Sequence, residues 1–178
     1  MRKVKSKKGF TLVEMLVCVL TLLLVGAICA TGTGISIKSY QESRFESDSQ
    51  MLQSSIDMIF SDILRYATEV NTDSGVVFTN KEYDIANGTV LIAAAGDNGE
   101  NRFVIKKNPT TAESLMLGDN VYAGNLEVSD FELSYNSTTG VFSGSYKIKS
   151  TIMNDAVKNC EFTFRSISSS LLSVGTGE

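Results

Sequence analysis

Two hydrophobic patterns follow one another along the chain. From Gly9 to Ile37 only Glu14 is charged, and apolar residues fall on every side of a helix drawn through this stretch. The run exceeds the roughly 20 residues that carry a helix across a bilayer, so it predicts a membrane-spanning helix over residues 10–37. Residues 38–50 are mostly polar, with Tyr40 and Phe45 the exceptions. A second pattern then begins. Leu52, Ile56, Ile59, Phe60, Ile63, Ala67 and Val70 recur in steps of three and four, which places them on one stripe of a helix. Asp57, Ser61, Asp62, Arg65 and Glu69 mostly fall off that stripe, and Asn71-Thr72-Asp73-Ser74-Gly75 supplies residues that end a helix. The prediction is an amphipathic helix over 38–72 that continues the first. If helix runs unbroken from Phe10 to Val70, it measures on the order of 90 Å. A free coiled coil fits less well, because the pattern stops after few heptads.

Residues 73–167 read as strands. Val76–Phe78, Tyr83–Ile85 and Thr89–Ala95 are candidates, and Phe103–Lys107 pairs back after the turn Gly96-Asp97-Asn98-Gly99-Glu100-Asn101. In a second hairpin Phe131, Leu133 and Tyr135 alternate with polar residues, Asn136-Ser137-Thr138-Thr139-Gly140 turns the chain, and Phe142, Tyr146 and Ile148 resume the alternation. Cys160, Phe162 and Phe164 share one parity in a last strand, and their common face is expected against the helix stripe. The fold class is therefore α+β: a long N-terminal α-helix, spanning a membrane in its first half and amphipathic in its second, packed against an antiparallel β-sheet head. Residues 168–178 include several small polar residues and are expected to be loose.

Composition narrows the chemistry. The 178 residues include no histidine, which removes the usual general base near neutral pH and the commonest metal ligand. Three cysteines are present. Cys18 and Cys29 lie in the apolar run about 16 Å apart along a helix axis, too far to join, and Cys160 is alone in the rest of the chain. All three read as small apolar residues. The loop Gly96–Asn101 offers oxygen atoms to calcium, but its spacing is not that of an EF-hand, and such clusters serve turns. The triplets Asn87-Gly88-Thr89 and Asn136-Ser137-Thr138 fit a glycosylation sequon and read as turns first. No nucleophile elbow, phosphate loop or dinucleotide fingerprint occurs. Neither an enzyme activity, a cofactor nor a metal is expected.

The N-terminus carries the sharper signal. Arg2, Lys3, Lys5, Lys7 and Lys8 precede the apolar run without an acid among residues 1–8, which keeps the N-terminus cytoplasmic and sends the remainder outside. A secretory signal cleaved near Ala27-Ile28-Cys29-Ala30 or a plain signal anchor would explain the run. Neither explains Glu14, because an acid near the start of a membrane-embedded helix is costly without a partner. The stretch Lys7-Lys8-Gly9-Phe10-Thr11-Leu12-Val13-Glu14-Met15-Leu16-Val17 resembles the N-terminal motif of type IV prepilins and the related pseudopilins, over roughly residues 5–34.

The resemblance implies a leader of residues 1–9, cut between Gly9 and Phe10 by a prepilin peptidase on the cytoplasmic side, with methylation of the new Phe10 amine. It implies that Thr11 and Glu14 serve assembly. The freed Phe10 amine and the Glu14 carboxylate form an opposite pair at i and i+4, and in a bundle each carboxylate can meet a neighbour's amine and so set axial register. Thr31 stands where many major pilins have proline, which points to a minor pilin or pseudopilin, and Gly32 and Gly34 favour a flexible point there. The implied partners are the peptidase, other pilin subunits meeting through helix–helix packing, a pilus assembly platform and the membrane. The implied location is the cytoplasmic membrane, N-terminus inside and head outside, and then a surface pilus or pseudopilus. After such a cut, eleven basic residues face twenty acidic ones, net −9, with Lys106-Lys107 the one close basic pair of the head. No direct nucleic-acid partner is therefore expected. The rival reading is a single-pass membrane-anchored extracellular protein that is not assembled into filaments.

Overall fold

The computed structural model describes residues 10–73, 75–96, 99–123 and 125–167. The expected leader 1–9 with Gly9, the tail 168–178, Ser74 of the helix-ending turn, and Asp97 and Asn98 of the acidic loop lie outside them. The architecture is α+β, with one long N-terminal helix and antiparallel sheets. The chain divides into two compact units, residues 1–44 and residues 45–178, and the helix α1 (Leu12–Arg65) contributes to both.

In the first unit the helix is unbroken, including at Gly32 and Gly34 where looseness was expected. The hydroxyls of Thr31, Thr33 and Ser36 bond back to carbonyls three or four residues earlier, at 3.0–3.2 Å, so polar side chains in this stretch are satisfied within the helix itself.

In the second unit the helix ends at Arg65, seven residues before the expected boundary at 72. The cause is a competing donor. The side-chain amide of Asn80 donates to the Ile63 carbonyl at 2.7 Å, taking the acceptor that the Ala67 N–H would use in a continuing helix. The Ala67 N–H instead closes on the Leu64 carbonyl at 3.3 Å. Ala67 and Val70, counted on the helical stripe, therefore leave the helix, and Val70 sits in a strand, β1 (Thr68–Asn71).

A single sheet was expected; there are two. The first has the order β1–β2–β3–β4–β5, with β2 at Val77–Asn80, β3 at Ile85–Ala94, β4 at Asn101–Lys106 and β5 at Ser114–Leu115. The second is the meander β6 (Leu126–Asn136), β7 (Val141–Ser150) and β8 (Val157–Arg165). A short 3-10 turn at Asp119–Tyr122 lies between them in sequence. The expected strand at Tyr83–Ile85 is instead a turn, and only Ile85 joins β3. Asn80 again decides this, its side-chain oxygen accepting the N–H groups of Glu82 at 3.0 Å and Tyr83 at 3.4 Å. The β6–β7 hairpin pairs Tyr135 with Phe142 and Asn136 with Val141, as the alternation predicts. Its turn is held by the Asn136 side chain, which accepts the Thr138 and Thr139 N–H groups. Asn87, read as a turn residue, lies inside β3 with a left-handed φ of 56°.

One side chain joins the layers. The Phe60 ring of α1 meets Phe103 of β4 at 5.0 Å, Phe131 of β6 at 5.9 Å, Tyr146 of β7 at 6.4 Å and Phe162 of β8 at 4.9 Å between centroids. Leu52, Ile56, Ile63 and Leu64 bury the rest of the stripe beside it, and Cys160 and Phe162 are buried on the facing strand as the parity predicts. Full burial of each such side chain stabilises the fold by about 1.5–3 kcal/mol relative to exposure.

Candidate functional site

The N-terminal turn of α1 brings Thr11 and Glu14 together. Thr11 stands just before the first helical residue and Glu14 is three residues on, the spacing at which a side chain can serve orphan N–H groups at a helix start. The Thr11 N–H and the Thr11 hydroxyl each donate to Glu14 Oε2 at 2.8 Å, and the Glu14 N–H donates to Thr11 Oγ1 at 3.3 Å. This reciprocal arrangement is a capping box. It was legible as Thr-x-x-Glu ahead of an apolar run, and the reading that paired Glu14 only with an amine passed over it. The acid also lies where the partial positive charge of the helix terminus favours an anion.

Phe10, the first described residue, is exposed at the same turn. Gly9, the other half of the expected cleavage junction, lies outside the described residues. Beyond Glu14, Leu12, Val13, Met15, Leu16, Val17, Val19, Leu20, Leu22, Leu23, Leu24, Val25, Ile28, Ile35 and Ile37 are all exposed, and together they surround the helix. Among the described residues this is the one helix long and apolar enough to cross a membrane. The rise from Phe10 to Ile37 is about 40 Å, against a hydrocarbon core of about 30 Å. Cys18 and Cys29 are exposed on this surface as free thiols. They behave here as small apolar side chains among the leucines and valines.

Titratable groups of the second unit divide into surface pairs and buried groups. Lys158 Nζ reaches Glu46 Oε1 at 3.2 Å, and Gln50 and Lys158 hold the Glu46 carboxyl below its usual range. Lys147, at 3.1 Å, does the same to Asp130. Cys160 is buried, and burial pushes its thiol up, away from the reactive thiolate. Burial likewise raises Tyr146 and Asp57. Arg102 is 1% exposed. It donates to Asp119 Oδ1 at 2.7 Å and to the Leu126 carbonyl at 2.7 Å, and lies 4.3 Å from the centre of the Tyr122 ring. The arrangement ties β4 to the segment leading into β6, and its chemistry is that of a structural ion pair.

Among the described residues no group of three or more cysteine, aspartate or glutamate side chains is placed to hold a metal ion. Scans of protein-family models, of curated proteins and of solved structures return no match to the chain.

Proposed function

We propose that the chain is a minor type IV pilin or pseudopilin, anchored by the apolar part of α1, cut between Gly9 and Phe10, methylated on Phe10, and drawn into a filament through that helix. The observation that carries this reading is an apolar helix exposed on all sides, with one acid in its first turn, directly after a lysine-rich segment ending Gly9-Phe10. In lipid the exposed side chains are solvated, and in a filament they pack on sister helices. Glu14 then meets the methylated amine of a neighbour, which fixes the axial position of each incoming subunit. Recognition belongs to the prepilin peptidase and the assembly platform, and the part of the chain after Phe45 is the extracellular head. The head is the portion available to a surface or a partner.

Mass spectrometry of protein from the producing cell tests this. The expected N-terminus is Phe10 carrying one added methyl group. An intact Met1, or a cut near Ala30, overturns the proposal.

The capping box favours a second reading, a single-pass anchored protein that is never assembled. Thr11 engages the Glu14 carboxylate within the same chain, so the acid has a role that needs no neighbour. The two readings separate on whether the protein is recovered in a filament fraction or only in the membrane.

A further inference from the structure

We infer that the cleft at the C-terminal end of α1 binds an organic cation, an alkylammonium or guanidinium group held between two carboxylates and two phenol rings. The cleft has a volume of about 560 Å³ and is lined by Asp62 from the helix, Tyr66 just after it, Thr68 from β1, Asn80 at the end of β2, and Lys81, Glu82 and Tyr83 from the turn that follows. That size is in the range of small-ligand sites. Every lining residue belongs to the unit 45–178.

Three features converge on positive charge. The last carbonyls of α1 give this end of the helix a partial negative charge. Asp62 and Glu82 come from opposite walls, and both act on the Tyr83 hydroxyl: burial, and then these two carboxylates, raise its pKa. Tyr66 and Tyr83, 55% and 40% exposed, line the cleft with rings whose faces attract cations.

The walls are also fixed in place. Asn80 is fully buried, and its one side chain binds both of them. Its amide donates to the Ile63 carbonyl at 2.7 Å on the helix side, and its oxygen accepts the Glu82 and Tyr83 N–H groups at 3.0 and 3.4 Å on the turn side. Such a clamp fixes the backbone that carries Glu82 and Tyr83 against the last turn of the helix before anything binds. Lys81 is exposed and lines the same cleft, so its ammonium is expected to compete for the site.

The cation can arrive as a free small molecule or as a lysine or arginine side chain of another protein, and one experiment separates the sources. The full-length protein in neutral maltoside micelles is titrated with choline, with its uncharged carbon isostere 3,3-dimethylbutanol, and with the capped peptides Gly-Arg-Gly and Gly-Gln-Gly, binding being read by saturation-transfer NMR. At least one cationic probe is expected to bind at least tenfold more tightly than its neutral counterpart. A choline preference assigns a free ammonium and an arginine preference assigns a protein side chain. The double variant Asp62→Asn, Glu82→Gln is expected to lose that preference, and Lys81→Ser to tighten binding. Tyr83→Phe, which keeps the ring, is expected to retain it. Circular dichroism of each variant establishes that the fold persists. Equal affinity for charged and neutral probes, or a double variant that binds as well as the parent, overturns the inference. None of these readouts depends on leader cleavage or filament formation.

Discussion

The apolar residues of α1 obey different rules before Arg44 and after Phe45. In the first stretch they surround the helix, and Leu12, Leu16, Leu20 and Leu23 are all exposed. In the second they keep to one stripe, and Leu52, Ile56, Phe60 and Ile63 are buried under two sheets. A helix apolar on every side is stable only in lipid or inside a bundle, whereas a single stripe is satisfied by one domain. One continuous helix therefore carries two different arrangements of apolar surface. The contrast also explains where polar side chains are spent: Thr11 and Glu14 close the helix start, and Asn80 closes its end.

The hardest test of this contrast is to remove volume from each half. Phe60 touches aromatic rings of four strands across both sheets. Phe60→Ala is expected to destabilise the unit 45–178 by about 3–5 kcal/mol, read as a fall in the urea midpoint in maltoside micelles. Leu20→Ala, on the exposed apolar part, should leave that midpoint within about 0.5 kcal/mol. Equal losses at the two positions would erase the distinction between the halves.

A somewhat smaller loss is expected inside the second unit alone. Arg102→Met keeps the length of the side chain but leaves Asp119 and the Leu126 carbonyl without their donor. Breaking a buried pair costs about 3–5 kcal/mol, and because Asp119 is 31% exposed and regains water, the lower end, about 3 kcal/mol, is expected by urea denaturation. The double variant Arg102→Met, Asp119→Leu should recover part of it, since the Asp119 carboxylate is then no longer stranded, while Glu100, 3.7 Å from the guanidinium in the parent, still loses its partner. Failure to recover any would mean that the stacking of Arg102 on Tyr122, at 4.3 Å, dominates.

In the first stretch the corresponding test separates geometry from charge. Glu14→Gln retains a side chain that can accept the Thr11 N–H, so the capping box survives, but it cannot neutralise an amine. Thr11→Ala keeps the charge and removes the hydroxyl half of the box. If Glu14 pairs with a neighbouring subunit, filament fractionation should show at least a tenfold fall in incorporation for Glu14→Gln and a lesser one for Thr11→Ala, with membrane insertion intact in both. Normal incorporation of Glu14→Gln would leave the acid as a helix cap with no pairing to a neighbour's amine, whereas absence of the parent protein itself from the filament fraction would favour the anchored, unassembled reading.

The sequence made these two halves legible to different depths. The apolar run, the buried stripe from Leu52 to Ile63 and the hairpin Phe131 to Ile148 all follow from local periodicity, and the structure has them. What periodicity misses is decided by partners distant in the chain. Val70 keeps helical spacing yet sits in β1, because Asn80, seventeen residues from Ile63, takes the carbonyl the helix needs. Leu126 and Val128 are buried at even positions while Phe131, Leu133 and Tyr135 turn inward at odd ones. A bulge between Ser129 and Glu132, with Asp130 at a φ of 52°, shifts the parity, and no alternation rule anticipates it. Arg102 falls between the expected turn and the expected strand and carries no local signal, since its partners Asp119 and Leu126 lie seventeen and twenty-four residues away. The Thr11–Glu14 box, by contrast, was local and readable.

The smallest effect expected lies at the edge of the stripe. Asp57 Oδ1 is buried with no hydrogen-bond partner, and burial raises the carboxyl's pKa above its ordinary value. Nearby stand Tyr146 and Cys160, both of which feel its charge. A carboxyl raised in the folded state favours folding most when protonated. Its contribution is highest below the ordinary carboxylate range and declines as the pH rises through the raised value. Glu46 and Asp130 are lowered, so their contribution is present above the ordinary range and lost as the pH falls through their folded values. Those two are untouched by Asp57→Asn and cancel when variant and parent are compared at one pH. The variant should therefore be more stable than the parent at pH 7, on the order of 0.5 kcal/mol after allowance for solvent screening, and equal to it near pH 3. Urea midpoints across that range measure the difference directly. A gain that persists at pH 3 would assign it to new hydrogen bonds of the amide, and a loss at pH 7 would mean that the carboxylate is held by a water the Asn side chain cannot keep.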